Sequence, residues 1–190
     1  MGKHDLIYRY VSSKIAYLDS IREQSAGRAM LANIRRGVGK SPGDLPELWG
    51  LIFDRMPEEL FGERKTSDAE WAIYAALTLY AMHQQGSEEN VHAADISVGK
   101  AAAVLVKSED DTDRILKRLN LIATAASQAD LAYHLRGVIQ LLKSESAKLD
   151  YARLAKELYL FRYPDTANEI KLAWGRDFYR QINRKKENEA

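Results

Sequence analysis

The 190 residues suffice for one domain, or for two small domains that pack together. Hydrophobic residues make up 46% of the sequence, so the chain can bury a core and does not belong to the disordered class. The 28 Lys and Arg residues nearly balance the 27 Asp and Glu residues, so a polyanion must be bound by a local basic patch, and the absence of cysteine excludes disulfides and thiolate zinc sites.

The first hydrophobic stripe predicts a helix with one buried face. Its residues recur at intervals of three and four, at Ile7, Val11, Ile15, Leu18 and Ile21. Lys14, Arg22 and Glu23 fall on the face expected to meet solvent. The N-terminus is charged rather than continuously apolar, so we expect no signal peptide.

The next helix carries Arg28, and a loop rich in Pro and Gly leads from it to a short helix over 47–55. Ser67 or Asp68 is predicted to cap the helix that follows. That helix is apolar nearly all round over 71–82, which predicts the buried centre of the first half. The same run is too short to span a bilayer, so we expect a soluble, cytoplasmic protein without a membrane partner.

The polar segment 86–95 is predicted to separate an N-terminal bundle, 1–90, from a C-terminal bundle, 91–190. In the second half, helices are predicted over 98–106, after a cap at Asp110 or Asp111, around Leu135, after a cap at Asp150, and over 166–184. No strand-like alternation stands out. The fold class predicted is therefore all-α, as two small packed bundles with about eight or nine helices.

The chain offers no pattern typical of catalysis. The four histidines form no close ligand pair, and the acids at 110–113 lack the spacing, glycine and closing glutamate of an EF-hand. Gly39-Lys40-Ser41 resembles the end of a P-loop, but Ile34 stands where that motif needs glycine. We expect no enzyme, no metal, no cofactor and no small-molecule substrate.

The basic residues instead predict a phosphate-binding surface. The segment RAMLANIRRGVGK at 28–40 holds four basic residues and no acid, and Arg28 and Arg35 share one helix face. Gly37 is predicted to end the helix, and Gly39 leaves open backbone beside Lys40, an arrangement that suits a phosphate chain. A merely solvated helix end remains the alternative.

Two further basic groups occur. One comprises Arg114, Lys117 and Arg118, with Arg136 and Lys143 on the next helix, and the other comprises Arg176, Arg180 and Arg184. The sequence has neither an aromatic RNA-binding signature nor a zinc finger, so we expect no reading of base sequence. Trp49, Trp71 and Trp174 are predicted to lie in the core.

The segment at 28–40, followed by a proline-containing loop and PELW at 46–49, resembles the opening signature of the CasB family, the small subunit of the type I-E CRISPR Cascade surveillance complex. The resemblance continues at LRGVIQLLK (135–143), at LDYARLAKELY (149–159), and at Ile170 with WGRDFY (174–179). It covers most of the chain, and the Arg-Arg-Gly-x-Gly element is its most specific part.

The resemblance implies an all-helical, non-catalytic subunit that is present in two copies packed head to tail, as a homodimer. Its implied partners are the repeating backbone subunit, the large subunit, the crRNA and the displaced strand of target DNA. The implied task is to stabilise the R-loop in antiviral defence, where base pairing supplies the sequence specificity. The nucleic-acid-binding residues that it implies are Arg28, Arg35, Arg36, Lys40, Arg136, Lys143 and Arg176.

A second hypothesis is a purely structural scaffold whose basic faces dock acidic surfaces of neighbouring subunits. A third, an unrecognised hydrolase using Asp111 or His83, ranks last because it needs a divalent-dependent activity for which no motif is present. Binding of DNA across a salt series separates the first hypothesis from the second.

Overall fold

The computed structural model describes residues 2–189, with side chains to residue 188, and within that range it is helical and has no β-strand. The predicted all-α fold is confirmed. Nine α-helices follow one another as α1 Lys3–Ile21, α2 Ser25–Arg35, α3 Trp49–Phe53, α4 Asp68–Gln84, α5 Val98–Val104, α6 Glu109–Ala123, α7 Gln128–Ser144, α8 Tyr151–Leu160 and α9 Pro164–Glu189, with 3-10 turns at Pro46–Leu48 and Glu58–Leu60.

Helix α4 is the central element. Ser67 caps it, accepting a hydrogen bond from the backbone N–H of Glu70 (3.0 Å), while the Glu70 carboxylate accepts from the N–H of Ser67 (2.6 Å). Its buried residues lie on every side of the helix, because α1, α2, α7 and α8 pack around it. The prediction that 71–82 forms a buried centre is therefore confirmed.

The two halves of the sequence share one hydrophobic core. Helix α1 packs along α8, and α4 packs on both α7 and α8. Helices α5 and α9 approach so closely that a Cβ atom on Gly99 would lie 2.0 Å from the carbonyl oxygen of Trp174. The division into two bundles at residues 90 and 91 stays a prediction.

Buried polar side chains fix how the helices meet. Asp150 caps α8 by accepting from the N–H of Arg153 (2.9 Å), as predicted, and it also accepts from the N–H of Asp95 (3.0 Å). The indole N–H of Trp174 donates to the buried Glu157 carboxylate (2.8 Å), so α9 is locked to α8. Within the described residues, no helix is long and apolar enough to cross a membrane.

Three local predictions are wrong. Lys14 is buried at 9% exposure, and its ammonium donates to the carbonyl of Asp54 (2.8 Å). Trp49 is 47% exposed rather than in the core. Ser108, not an aspartate, is the N-cap of α6, because Asp111 sits at the third position and completes the capping box. Helix α2 ends at Arg35 with Arg36 as its C-cap, so Gly37 directly follows the helix, as predicted.

Candidate nucleic-acid interface

Helix α2 presents arginines outward because its opposite face is apolar. Ile34 is fully buried, and Met30 and Leu31 pack partly against the core. This anchors the helix with Arg28 exposed and Arg35 half-buried. The Arg28 guanidinium donates to the carbonyl of Glu23 (2.6 Å), just before the helix begins.

A groove of about 770 Å³, here called the Arg35 groove, runs between α2 and the C-terminal end of α4. It is lined by Arg22, Glu23, Arg28, Leu31, Ala32, Arg35, Ala81, Gln84, Gln85, Gly86, Ser87 and Glu88. Lys143, on α7, reaches the same end of α4, where its ammonium donates to the Gln85 side chain (3.1 Å). Basic groups from α2 and α7 thus meet over the end of α4.

The proximity of Arg35 to Lys143 has an electrostatic signature. Partial burial lowers the pKa of the Lys143 ammonium, and the positive charge of Arg35 lowers that pKa further. Two like charges held near each other raise the local positive potential, and an anion bound between them would relieve their repulsion. The sequence placed these residues in separate clusters, whereas the fold brings them together.

A second groove, of about 630 Å³ and here called the Lys40 groove, lies between the loop after α2 and helix α7, with α4 as its floor. Its lining residues are Val38, Gly39, Lys40, Ser41, Trp71, Tyr74, Ala75, Thr78, Leu79, Gln128, Ala129, Asp130, Ala132, Tyr133 and Arg136. Lys40 and Arg136 therefore stand in opposite walls of one cleft. At both grooves, basic residues of α2 or of the loop after it lie near basic residues of α7. Together they form one basic face across α4.

Gly37 positions the wall that carries Lys40. The Tyr74 hydroxyl donates to the Gly37 carbonyl (3.1 Å), and the N–H of Lys40 donates to the same carbonyl (3.0 Å). A Cβ atom on Gly37 would lie 2.5 Å from the Tyr74 hydroxyl, so glycine is required for close packing. Gly39, not Gly37, has the left-handed conformation, with φ +79° and open space beside it.

Three of the predicted site residues line neither groove: Lys143 borders the Arg35 groove, whereas Arg36 and Arg176 lie apart from both. Arg36 is exposed and pairs with Glu47 (3.6 Å), on the side of the 3-10 turn. Arg176 is exposed on α9, a helix that packs on α5 and α8. Arg114, which the sequence grouped with Arg136, forms an ion pair with Asp111 (2.6 Å).

Tyr133 is a residue of the Lys40 groove that sequence reasoning missed. Its side chain is 73% exposed, the highest value among the exposed large hydrophobic residues of the described chain. It stands one turn before Arg136 on α7, whereas Leu131 and Leu135 face the core. The sequence did contain a signal for this residue: Tyr133 lies off the hydrophobic stripe of α7 and one helical turn before Arg136.

A third and larger groove, of about 890 Å³, lies between α1, α2 and α3. Its charged lining residues are of both signs, with Lys14 and Arg55 facing Glu47 and Asp54. This balance of charge distinguishes it from the two basic grooves, and it favours no polyanion.

The residues considered for the hydrolase hypothesis, His83 and Asp111, make structural hydrogen bonds. His83 is buried, and its Nδ1 lies 2.7 Å from the Tyr151 hydroxyl. Burial, assisted by the charge of Lys143, lowers the pKa of His83 to about 4. Asp111 accepts from the N–H of Ser108 (3.1 Å) as part of a helix cap. Among the described side chains, no three potential ligands gather in a metal-binding group. That the chain is not an enzyme stays a prediction.

Comparison with known proteins bears on the whole chain. The family model for the CRISPR-associated protein Cse2 matches residues 30–179. CasB from Thermobifida fusca is similar with a TM-score of 0.79 and 32% sequence identity, covering 91% of this chain and 97% of that chain. None of the curated proteins matches the chain significantly.

Two more distant structures share the fold. CasB from M. ruber matches with a TM-score of 0.69 at 20% identity, over 93% of this chain and 98% of its own. A chain of a structure described as a CRISPR RNA-guided surveillance complex matches with a TM-score of 0.74 at 19% identity, over 97% of this chain and 99% of its own. The helical architecture described above is thus common to all three structures.

Proposed function

The chain belongs to the CasB (Cse2) family of CRISPR-associated proteins, and from this premise we propose that it is the non-catalytic small subunit of a type I-E Cascade complex that holds nucleic acid by its phosphates. The solved surveillance complex with the same fold supports placing the chain in such an assembly. The proposed partners are the backbone subunit, the large subunit, a second copy of this chain, the crRNA and the target DNA.

The observation that carries the proposal is the convergence of basic side chains from α2 and α7 on both ends of one face. Arg35 and Lys143 come together at the C-terminal end of α4, and Lys40 and Arg136 line the groove nearer the N-terminal end of the same helix. Arginine and lysine held near each other attract a chain of phosphates, and in the lining of each groove the cations outnumber the carboxylates. The near-neutral total charge does not oppose this attraction, which is local.

Backbone binding without base reading fits the stabilisation of an R-loop. The exchange of a DNA duplex for an RNA–DNA heteroduplex is close to balanced energetically, so a few added phosphate contacts to the displaced strand shift it toward the open state. Base pairing with the guide supplies the sequence specificity. The subunit therefore needs a basic face and no base-specific side chain.

The test compares two double variants that remove the same charge. Arg35→Gln with Lys143→Gln removes two cations at the Arg35 groove, and Arg9→Gln with Arg64→Gln removes two exposed cations that line neither basic groove. We expect the first to weaken binding of labelled DNA roughly tenfold or more, and to reduce the salt slope by about 1 to 2. We expect the second to bind like the unchanged protein.

Equal behaviour of the two double variants would contradict the placement of the site. If the unchanged protein binds no DNA even at low salt, and the groove variant fails to assemble with its partner subunits, the scaffold hypothesis replaces the proposal. Circular dichroism of each variant shows that the fold is retained.

A further inference from the structure

Tyr133 exposes a large aromatic ring in a basic cleft. Its side chain is 73% exposed, and its described ring contact is an edge-on approach to His134, with ring centroids 5.4 Å apart. The face of the ring is therefore available to a planar partner. An exposed tyrosine of this kind offers contact area at a low cost in side-chain entropy.

The neighbours of Tyr133 suit a phosphate chain. Arg136 follows one helical turn later on the same wall, and Lys40 stands in the opposite wall. Between them, Gly39 holds a left-handed conformation with open space beside its Cα, so backbone approach is unobstructed. The ring thus stands among cations from both walls of the groove.

The one acid in the groove is already engaged. The Asp130 carboxylate accepts from the hydroxyl of Ser127 (2.9 Å), and the N–H of Asp130 donates back to that hydroxyl (3.1 Å), as part of the cap of α7. The aromatic residues Trp71 and Tyr74 also line the groove. Its volume of about 630 Å³ falls within the roughly 300–1,000 Å³ typical of sites for small-molecule ligands.

We propose that the Lys40 groove holds an unpaired base of a single DNA strand, stacked on Tyr133, with the flanking phosphates on Lys40 and Arg136. A base in a duplex is stacked between its neighbours and offers only its edges, so stacking on a side chain requires a single strand or a flipped base. The groove therefore prefers single-stranded to double-stranded DNA. This inference rests on the proposed function and adds an aromatic contact to it.

Stacking and phosphate contacts are separated by a strand that has phosphates but lacks bases. Binding is measured for oligo-dT, for an abasic strand of equal length, and for a duplex, with the full-length chain and its variants Tyr133→Ala, Tyr133→Phe and Tyr17→Ala. Tyr17 is the matched control, because it is 49% exposed on helix α1 and lines neither basic groove.

We expect Tyr133→Ala to weaken oligo-dT binding roughly 5- to 150-fold, the range that corresponds to loss of one base–aromatic stack. Binding of the abasic strand and of the duplex should stay unchanged. Tyr133→Phe should retain oligo-dT binding, since the ring remains, and Tyr17→Ala should have no effect. An oligonucleotide carrying 5-iododeoxyuridine should cross-link to the peptide that contains Tyr133.

Two results would overturn the inference while the proposed function stands. One is an equal loss of oligo-dT and abasic-strand binding in Tyr133→Ala. The other is unchanged oligo-dT binding in that variant, while the Arg35 and Lys143 double variant still weakens both ligands. Absence of any strand binding by the unchanged protein at low salt would overturn both proposals together.

Discussion

His83 is a titratable group that the folded chain holds in its neutral form. It lies near the C-terminal end of α4 at 1% exposure, against the Tyr151 hydroxyl. Burial is the main reason that its pKa falls from 6.5 to about 4, and the charge of Lys143 adds to the effect. Because the unfolded chain binds this proton more readily, acid favours unfolding.

Titration of His83 does not lower the free energy of unfolding above about pH 6.5. That free energy falls as the pH drops from 6.5 toward 4. The shift corresponds to roughly 3 kcal/mol of unfolding free energy across that window. We expect His83→Gln to flatten the pH dependence of unfolding in urea between pH 7 and 4.5, because glutamine does not titrate. A slope unaffected by His83→Gln would contradict the assignment.

Single side chains also mark the limit of sequence reasoning. Lys14 was predicted to be exposed, but it is buried and its ammonium donates to the Asp54 carbonyl. Trp49 was predicted to be buried, but it is exposed and its indole N–H donates to the carbonyl of Pro42 (3.3 Å). The Lys14 contact joins segments far apart in the chain, and the Trp49 contact spans a loop. A hydrophobic stripe predicts which face of a helix is buried, but it does not predict which polar group of the folded chain will bond a side chain beside that face.

At the scale of elements, the contact between α2 and α4 depends on Gly37. Its carbonyl accepts the Tyr74 hydroxyl, and a methyl group there would meet that hydroxyl at 2.5 Å and the Thr78 methyl at 2.9 Å. Tyr74 and Thr78 are each 2% exposed, so they have little room to move. The loop that carries Lys40 begins at this contact.

We expect Gly37→Ala to lower the free energy of unfolding by about 1–3 kcal/mol through overpacking. The matched control is Gly175→Ala, on α9, where nothing lies within 4 Å of the added Cβ. That change should raise the free energy by roughly 0.5–1 kcal/mol, since alanine favours a helix interior. Urea denaturation of both variants measures the difference. A Gly37→Ala protein as stable as the unchanged one would show that α2 can shift without cost.

Most helices could be predicted from the sequence, since each carries its own local signals. The stripe of α1, a cap of α4 at Ser67 or Asp68 and the Asp150 cap of α8 were all visible in short segments. The close contact of Gly37 with Tyr74, 37 positions away, could not be predicted, because nothing in the residues around Gly37 indicates it. Local patterns predict elements, whereas contacts of this range depend on the fold.

At the scale of the whole molecule, the basic residues form a candidate binding face only because the fold brings them together. The sequence singled out Arg28, Arg35, Lys40, Arg136 and Lys143, and the first three lie on or just after α2 while the last two lie on α7. That α2 and α7 flank α4 could not be predicted, because helix packing depends on the complete core. The role of these residues in binding stays a prediction.

The assembled face also predicts how binding responds to salt. Six cations line or border the two basic grooves, and Arg22 among them is already paired with Asp19 and Glu23, so about five phosphates are neutralised on a single strand. The logarithm of the binding constant should then fall against the logarithm of salt concentration with a slope of roughly −3 to −4. Titrations from 50 to 300 mM salt measure it. A slope near zero would mean that the grooves do not hold phosphates.

The packing of α1 along α8 has a consequence for synthesis of the chain. The Lys156 ammonium meets the Asp5 carboxylate at 3.1 Å across a separation of 151 residues. At about 5–20 residues per second, a ribosome needs roughly 8–30 s between these two positions. During that time the hydrophobic stripe of α1 has no α8 to cover it. The nascent chain therefore exposes this apolar stripe until its last third has been made.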